Sequence, residues 1–165
     1  MVEIFVNLKR FEVSKKLGGI CPEPNSKKWI EFVIEKVIES GLGKSDKVHL
    51  TFLLPESLLI PALEKMKGYA QSEIQNLDIG CQSVFRENIT PGRNFGAFTS
   101  NLPASAASNI GCTWTMIGHS EERKDKLEMI AEYDPLVLTE LESMKKANHS
   151  IDSLLNRARK NPTGS

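Results

Sequence analysis

At 165 residues, 40% hydrophobic and 25% charged, the chain carries enough apolar side chain for one globular core. Its 21 basic and 21 acidic residues cancel, which argues against a chain-wide basic surface for nucleic acid or anionic membrane but allows a small local anion site. No apolar run approaches the roughly 18 residues needed to span a bilayer, and the opening MVEIFVNLKRF lacks the pattern of a secretory leader.

The first predicted element is a strand over residues 4–9 (IFVNLK), short, β-branched and aromatic. Residues 10–25, with Gly18-Gly19, Pro22 and Pro24, have no period and read as a loop. Ser26 can cap a helix running to Ser40, whose apolar pairs Trp29/Ile30, Val33/Ile34 and Val37/Ile38 recur at 3.6-residue spacing, with Gly41 ending it. Residues 48–54 (VHLTFLL) are nearly all apolar, as in a strand covered on both faces. A second helix is expected over 58–69 and a third strand over 77–84 (LDIGCQSV), followed by a loop rich in Pro, Gly and Asn as far as Thr99. Residues 102–110 read as a small-residue helix with Pro103 in its first turn. A fourth strand is expected over 112–117 (CTWTMI), then helix from Ser120, with further helical stretches at 135–146 and 151–159.

Strict β-α alternation at this spacing implies right-handed crossovers and a parallel sheet. Two architectures fit, an open doubly wound sheet and part of a (β/α)8 barrel. The absence of GxGxxG after the first strand weighs against a dinucleotide-binding sheet.

In parallel α/β folds, function gathers at the C-terminal ends of strands. That rule selects Asn7 and Lys9, then Gln82-Ser83, then Gly118-His119-Ser120-Glu121. Asn7 and Lys9, two apart, share one strand face. Lys9 could hold an anion there, or be an ordinary solvated strand-end lysine. His119 precedes a helix start, whose positive end favours a neutral imidazole able to polarise a carbonyl; local hydrogen bonding is the alternative role. His49 reads as a core residue and His149 as a solvent-exposed one. The three cysteines, Cys21, Cys81 and Cys112, lack CxxC spacing and read as reduced thiols of a cytoplasmic protein, packed rather than reactive. No His, Cys, Asp or Glu pair has metal-ligand spacing, so no metal is expected. Lys145, Lys146, Arg157, Arg159 and Lys160 read as a solvated charge run, not a nucleic-acid surface.

Three segments together carry a resemblance. Asn7-Leu8-Lys9 resembles the Asn-x-Lys that closes the first strand of the triosephosphate isomerase family. Gly96-Ala97-Phe98-Thr99 resembles its interdigitating third loop, and Ile117-Gly118-His119-Ser120-Glu121 its strand-four motif. The likeness spans residues 4–123. It implies an α/β fold of about four βα units of a (β/α)8 barrel with an extra C-terminal helix. It also implies the interconversion of dihydroxyacetone phosphate and glyceraldehyde 3-phosphate in glycolysis and gluconeogenesis, with no cofactor.

By the same resemblance, Asn7 and Lys9 contact substrate, and His119 is the electrophile. Ser120 and Glu121 support it, and Thr99 reaches across a homodimer interface. Ser100-Asn101 and Glu122-Arg123 depart from the family's Gly-Glu and Arg-Arg, so the polar contacts of that interface would differ. A complete barrel needs about 250 residues. The family's catalytic glutamate segment, of Glu-Pro-x-Trp-Ala type, does not occur in these residues. The expectation is therefore a truncated single domain over 1–165, with 157–165 as a disordered tail, inactive alone and prone to self-association. The rival is a non-catalytic half-barrel that binds a partner or itself.

Overall fold

The computed structural model describes residues 1–99, 101–136, 138–140 and 142–143. It divides into two compact units, Met1–Ile117 and Gly118–Ser165, and each is described by itself.

In the first unit, strands β1 (Val2–Asn7), β2 (Val48–Leu54), β3 (Leu77–Cys81) and β4 (Trp114–Thr115) form one sheet in the order β1-β2-β3-β4, every neighbouring pair parallel. Sequential neighbours without a reversal exclude the doubly wound alternative, in which the order turns back at a switch point. Helices α1 (Ser26–Glu39), α2 (Glu56–Lys67), the short α3 (Gln71–Ile74) and α4 (Ala104–Ile110) connect the strands. The register pairs Leu50 with Leu77, Phe52 with Ile79 and Leu54 with Cys81, which places these six side chains on one face. They meet Ile30, Ile34 and Ile38 of α1, Leu58, Leu59, Ala62 and Met66 of α2, and Ala107 of α4 in a single core. Burying each of the large aliphatic side chains is worth about 1.5–3 kcal/mol. Helices packed on that one face and strands in sequential order make this four-stranded part of a parallel (β/α) barrel.

The concave face closes upon itself. Phe5 on β1 and Trp114 on β4 belong to opposite edges of the sheet, yet their rings meet edge to face, with centroids 5.2 Å apart. Only a strongly curled sheet brings its edges so near. Beneath the pair Thr51 and Leu53 are buried, although Phe5 and Trp114 themselves stay 46% and 42% exposed. Gly80 permits the approach: a Cβ there would stand 2.6 Å from the Trp114 carbonyl oxygen and 2.9 Å from Leu53 Cδ2. The central barrel-facing side chains Thr51 and Leu53 are thus covered within this unit.

Several boundaries differ from expectation for local reasons. The cap of α1 is Asn25, whose Oδ1 accepts from the Lys27 and Lys28 amides, so Ser26 is the first helical residue and not the cap. The helix expected over 58–69 begins earlier, at Glu56, directly after Pro55. Strand β1 stops at Asn7 because Lys9 turns into the left-handed region, φ +43°. Strand β4 is cut to two residues. The Cys112 amide bonds back to Ala107 of α4. Beyond it, the Thr113 and Met116 amides donate to Ile79 and Cys81, three residues answering two. The extra residue is a bulge that interrupts the ladder. His49 is not core: it is half-buried at the start of β2, with Nε2 3.0 Å from Asp78 Oδ2, an oxygen that also accepts from Trp114 Nε1.

In the second unit α5 spans Ser120–Tyr133 and ends before Asp134-Pro135, where the residue preceding proline is extended. Of the helix expected over 135–146, residues 136, 138–140 and 142–143 are helical. The helix expected over 151–159, His149 and the tail 157–165 lie outside the described residues.

Candidate active site

The C-terminal ends of β1 and β3 are tied together by one side chain. Asn7 Oδ1 accepts from the Lys9 amide at 2.8 Å and from Gln82 Nε2 at 2.9 Å. The same Gln82 nitrogen donates to the Lys9 carbonyl at 2.8 Å. Its two N–H groups are thereby committed, and both backbone polar groups of Lys9 have partners. This clamp holds Lys9 at φ +43°, a conformation that costs a long side chain about 1–3 kcal/mol. Strain of that size persists only where the surroundings over-determine it, and it gathers at ligand sites. Gln82 is the residue to which the sequence assigned no role. The rule of strand C-terminal ends brought it into view, but nothing in its neighbours showed that it reaches across two strands.

Within the second unit, His119 is the N-cap of α5. Its Nδ1 accepts from the Glu121 amide at 3.3 Å, and its carbonyl accepts from the Arg123 amide at 3.0 Å. A ring nitrogen that accepts from a backbone N–H carries no proton, so the remaining ring proton sits on Nε2. The Glu121 carboxylate lies 3.6 Å from the same Nδ1. Gly118, φ +70°, makes the turn that delivers the histidine to the helix start. Ser120 opens the first turn and is exposed.

Thr99 is exposed, at the end of a loop closed at its base by the Phe85 amide donating to the Leu102 carbonyl. Asn94 braces that loop, accepting from the Thr90 and Gly96 amides and donating to the Asn88 carbonyl. The structure therefore gathers Asn7, Lys9 and Gln82 in the first unit and His119, Ser120 and Glu121 in the second. Among the described residues no group of three or more His, Cys, Asp or Glu could hold a metal ion, and no helix is long and apolar enough to cross a membrane.

A singly wound parallel sheet with a clamped lysine and polar side chains at its strand ends defines a partial (β/α) barrel of the kind that carries its chemistry at that face. The family model described as triosephosphate isomerase matches residues 26–151. The chain belongs to the triosephosphate isomerase family. It is 31% identical to the triosephosphate isomerase of Candida albicans over 119 residues, 70% of this chain and 42% of that one. Against that of Rhodopirellula baltica it is 27% identical over 116 residues, 70% and 39% of the two chains. Against that of Wolbachia pipientis it is 35% identical over 51 residues, 31% and 19%. The chain thus spans at most 42% of the length of these curated relatives. The family match includes Gln82, Thr99 and His119–Glu121 and begins after Asn7 and Lys9.

Proposed function

We propose that the chain carries the substrate-holding and carbonyl-polarising part of an aldose–ketose isomerase acting on a triose phosphate, dihydroxyacetone phosphate and glyceraldehyde 3-phosphate. The observation that carries this reading is the strained Lys9, clamped by Asn7 and Gln82 at the strand ends of a chain from this family. Lys9 would supply positive charge to the bound anion and, with Asn7, orient it. His119 would offer its Nε2–H to the substrate carbonyl, stabilising the negative oxygen of an enediolate while remaining neutral. Ser120 and Glu121 would support that histidine, and Thr99 would reach the corresponding site of a second copy in a homodimer.

Abstraction of the proton beside the carbonyl needs a base within about 3 Å of it. None of these residues is assigned that role. The 165-residue chain is therefore expected to bind triose phosphate without turning it over, in the cytoplasm as a glycolytic and gluconeogenic protein. The Phe5–Trp114 roof over the concave face favours one second reading, a self-sufficient half-barrel that binds a partner without catalysis.

Titration calorimetry with dihydroxyacetone phosphate separates the two. Lys9→Ala and His119→Gln should each weaken binding about tenfold or more, with Lys27→Ala on α1 as the unaffected control. Absence of binding by the folded wild-type chain favours the half-barrel reading. Isomerase activity of the purified chain that disappears in His119→Gln would show instead that a base is present.

A further inference from the structure

Cys81 and Cys112 stand outside the site just described, and they face one another. Cys81 ends β3, 1% exposed, its Sγ 3.8 Å from the Trp114 carbonyl oxygen. Simple alternation backward from Trp114 would turn Cys112 onto the concave face. The extra residue between the Thr113 and Met116 bonds turns it instead to the helix side, where it packs against the core beside Cys81. Each of the two is the largest single influence on the other's thiol. Both line a cavity of about 190 Å³, shared with Ala107, Ser108, Trp114 and Thr115. A water molecule's share of liquid volume is about 30 Å³, so hydrogen peroxide fits. All three cysteines are free thiols, and Cys21 is buried elsewhere, paired by its backbone with the loop at Val13 and Lys15.

We propose that Cys81 and Cys112 form a two-thiol oxidation site, in which hydrogen peroxide oxidises Cys81 and Cys112 resolves the product to a disulfide joining β3 to the segment between α4 and β4. The Cys81 thiolate attacks one peroxide oxygen, the O–O bond breaks, and the departing hydroxide takes up a proton as water. Cys81 is left as a sulfenic acid. The Cys112 sulfur then attacks the Cys81 sulfur, the S–O bond breaks, and the hydroxyl leaves with the Cys112 proton as a second water. The thiols give up two electrons and the peroxide accepts them.

The division of labour follows from the shared proton. The hydrogen bond from Cys112 holds Cys81 down at about 6 against the opposing effect of burial, with Thr115 helping, and the same partnership pushes Cys112 up. Cys81, the thiol held down, is therefore the one that ionises first and meets the peroxide, and Cys112 is the resolver. Closing to a covalent bond of about 2 Å requires one side to move. Strand β4 has only two ladder residues, so its start is the less anchored side.

The test is mass spectrometry of the wild-type chain after brief exposure to equimolar hydrogen peroxide, followed by denaturation and maleimide labelling. The expected product is lighter by about 2 Da, takes one maleimide, at Cys21, and yields a single cross-linked peptide containing Cys81 and Cys112 that dithiothreitol releases. In Cys112→Ser, Cys81 should stop at the sulfenic acid and be captured by a 1,3-dione. Three maleimides after peroxide, a link through Cys21 or between chains, or no dione capture in a folded Cys112→Ser chain would each overturn the proposal.

Discussion

Lys9 is one of two non-glycine residues among those described that stand at positive φ, the other being Phe95 at +51° in the exposed loop. The amide and carbonyl of Lys9 are held by Asn7 and Gln82 while φ stands at +43°. Glycine adopts that conformation without steric cost, although it gives up about 0.5–1 kcal/mol in backbone entropy. Against about 1–3 kcal/mol of relieved strain, Lys9→Gly should leave the chain as stable as wild type or up to about 2.5 kcal/mol more stable in urea unfolding, and should lose triose phosphate binding. A clear loss of stability would show that the lysine side chain serves the fold and would remove the argument from strain. At Cys81 the lowered value works through the population of thiolate. That population rises with pH through about 6 and is nearly complete by pH 7. Peroxide consumption by the thiol pair should therefore be half-maximal near pH 6 and flat from pH 7 to 8.5. A rate that climbs about tenfold over that upper range would mark an ordinary thiol with a pKa of about 8.5.

The elements obey the sequence pattern closely in their faces and less closely in their ends. In α1, Ile30, Ile34 and Ile38 repeat every four residues and are all buried. The hydroxyl of Ser26 makes it a good cap, but Asn25 is equally good and stands one residue earlier, where its oxygen reaches two free amides. Asn25→Ala should cost about 1 kcal/mol in thermal or urea unfolding and Ser26→Ala a few tenths at most. The reverse order would mean that the helix starts one residue later in solution. The fourth strand is shorter than its pattern. Six apolar and β-branched residues suggest a long strand, but pairing needs a neighbour in register, and the bulge leaves only Trp114 and Thr115 in the ladder.

For the molecule as a whole, the four-stranded sheet of the first unit ends at β1 on one side and β4 on the other. The middle of its concave face is closed by Phe5 and Trp114; on the opposite face, at the sheet's margin, Val2 and Ile4 of β1 are exposed, beside the unpaired polar groups of an edge strand. Such an edge is a template for a second chain. Size-exclusion chromatography with light scattering should show a dimer or larger species at micromolar concentration, dissociating on dilution. The substitution Ile4→Lys should shift the population toward monomer, since a charged edge resists pairing. A wild-type chain that is monomeric throughout, with a cooperative melt, would mean that the curled half-barrel is self-sufficient.

The sequence by itself determined the alternation of strands and helices, the buried face of each, and the placement of Asn7, Lys9, Gln82 and His119 at or beside strand ends. These follow from periods of two and 3.6 residues and from the parallel sense that alternation enforces. It also supplied the family, through three short motifs in order. The tertiary structure alone decided that Gln82 reaches back to Asn7 and Lys9, that Phe5 meets Trp114 over Thr51, that His49 pairs with Asp78, and that Cys112 faces Cys81. Periodicity states which way a side chain leaves its own strand. The curl of the sheet and the position of one extra residue in β4 state which side chains, far apart in the chain, arrive at the same place.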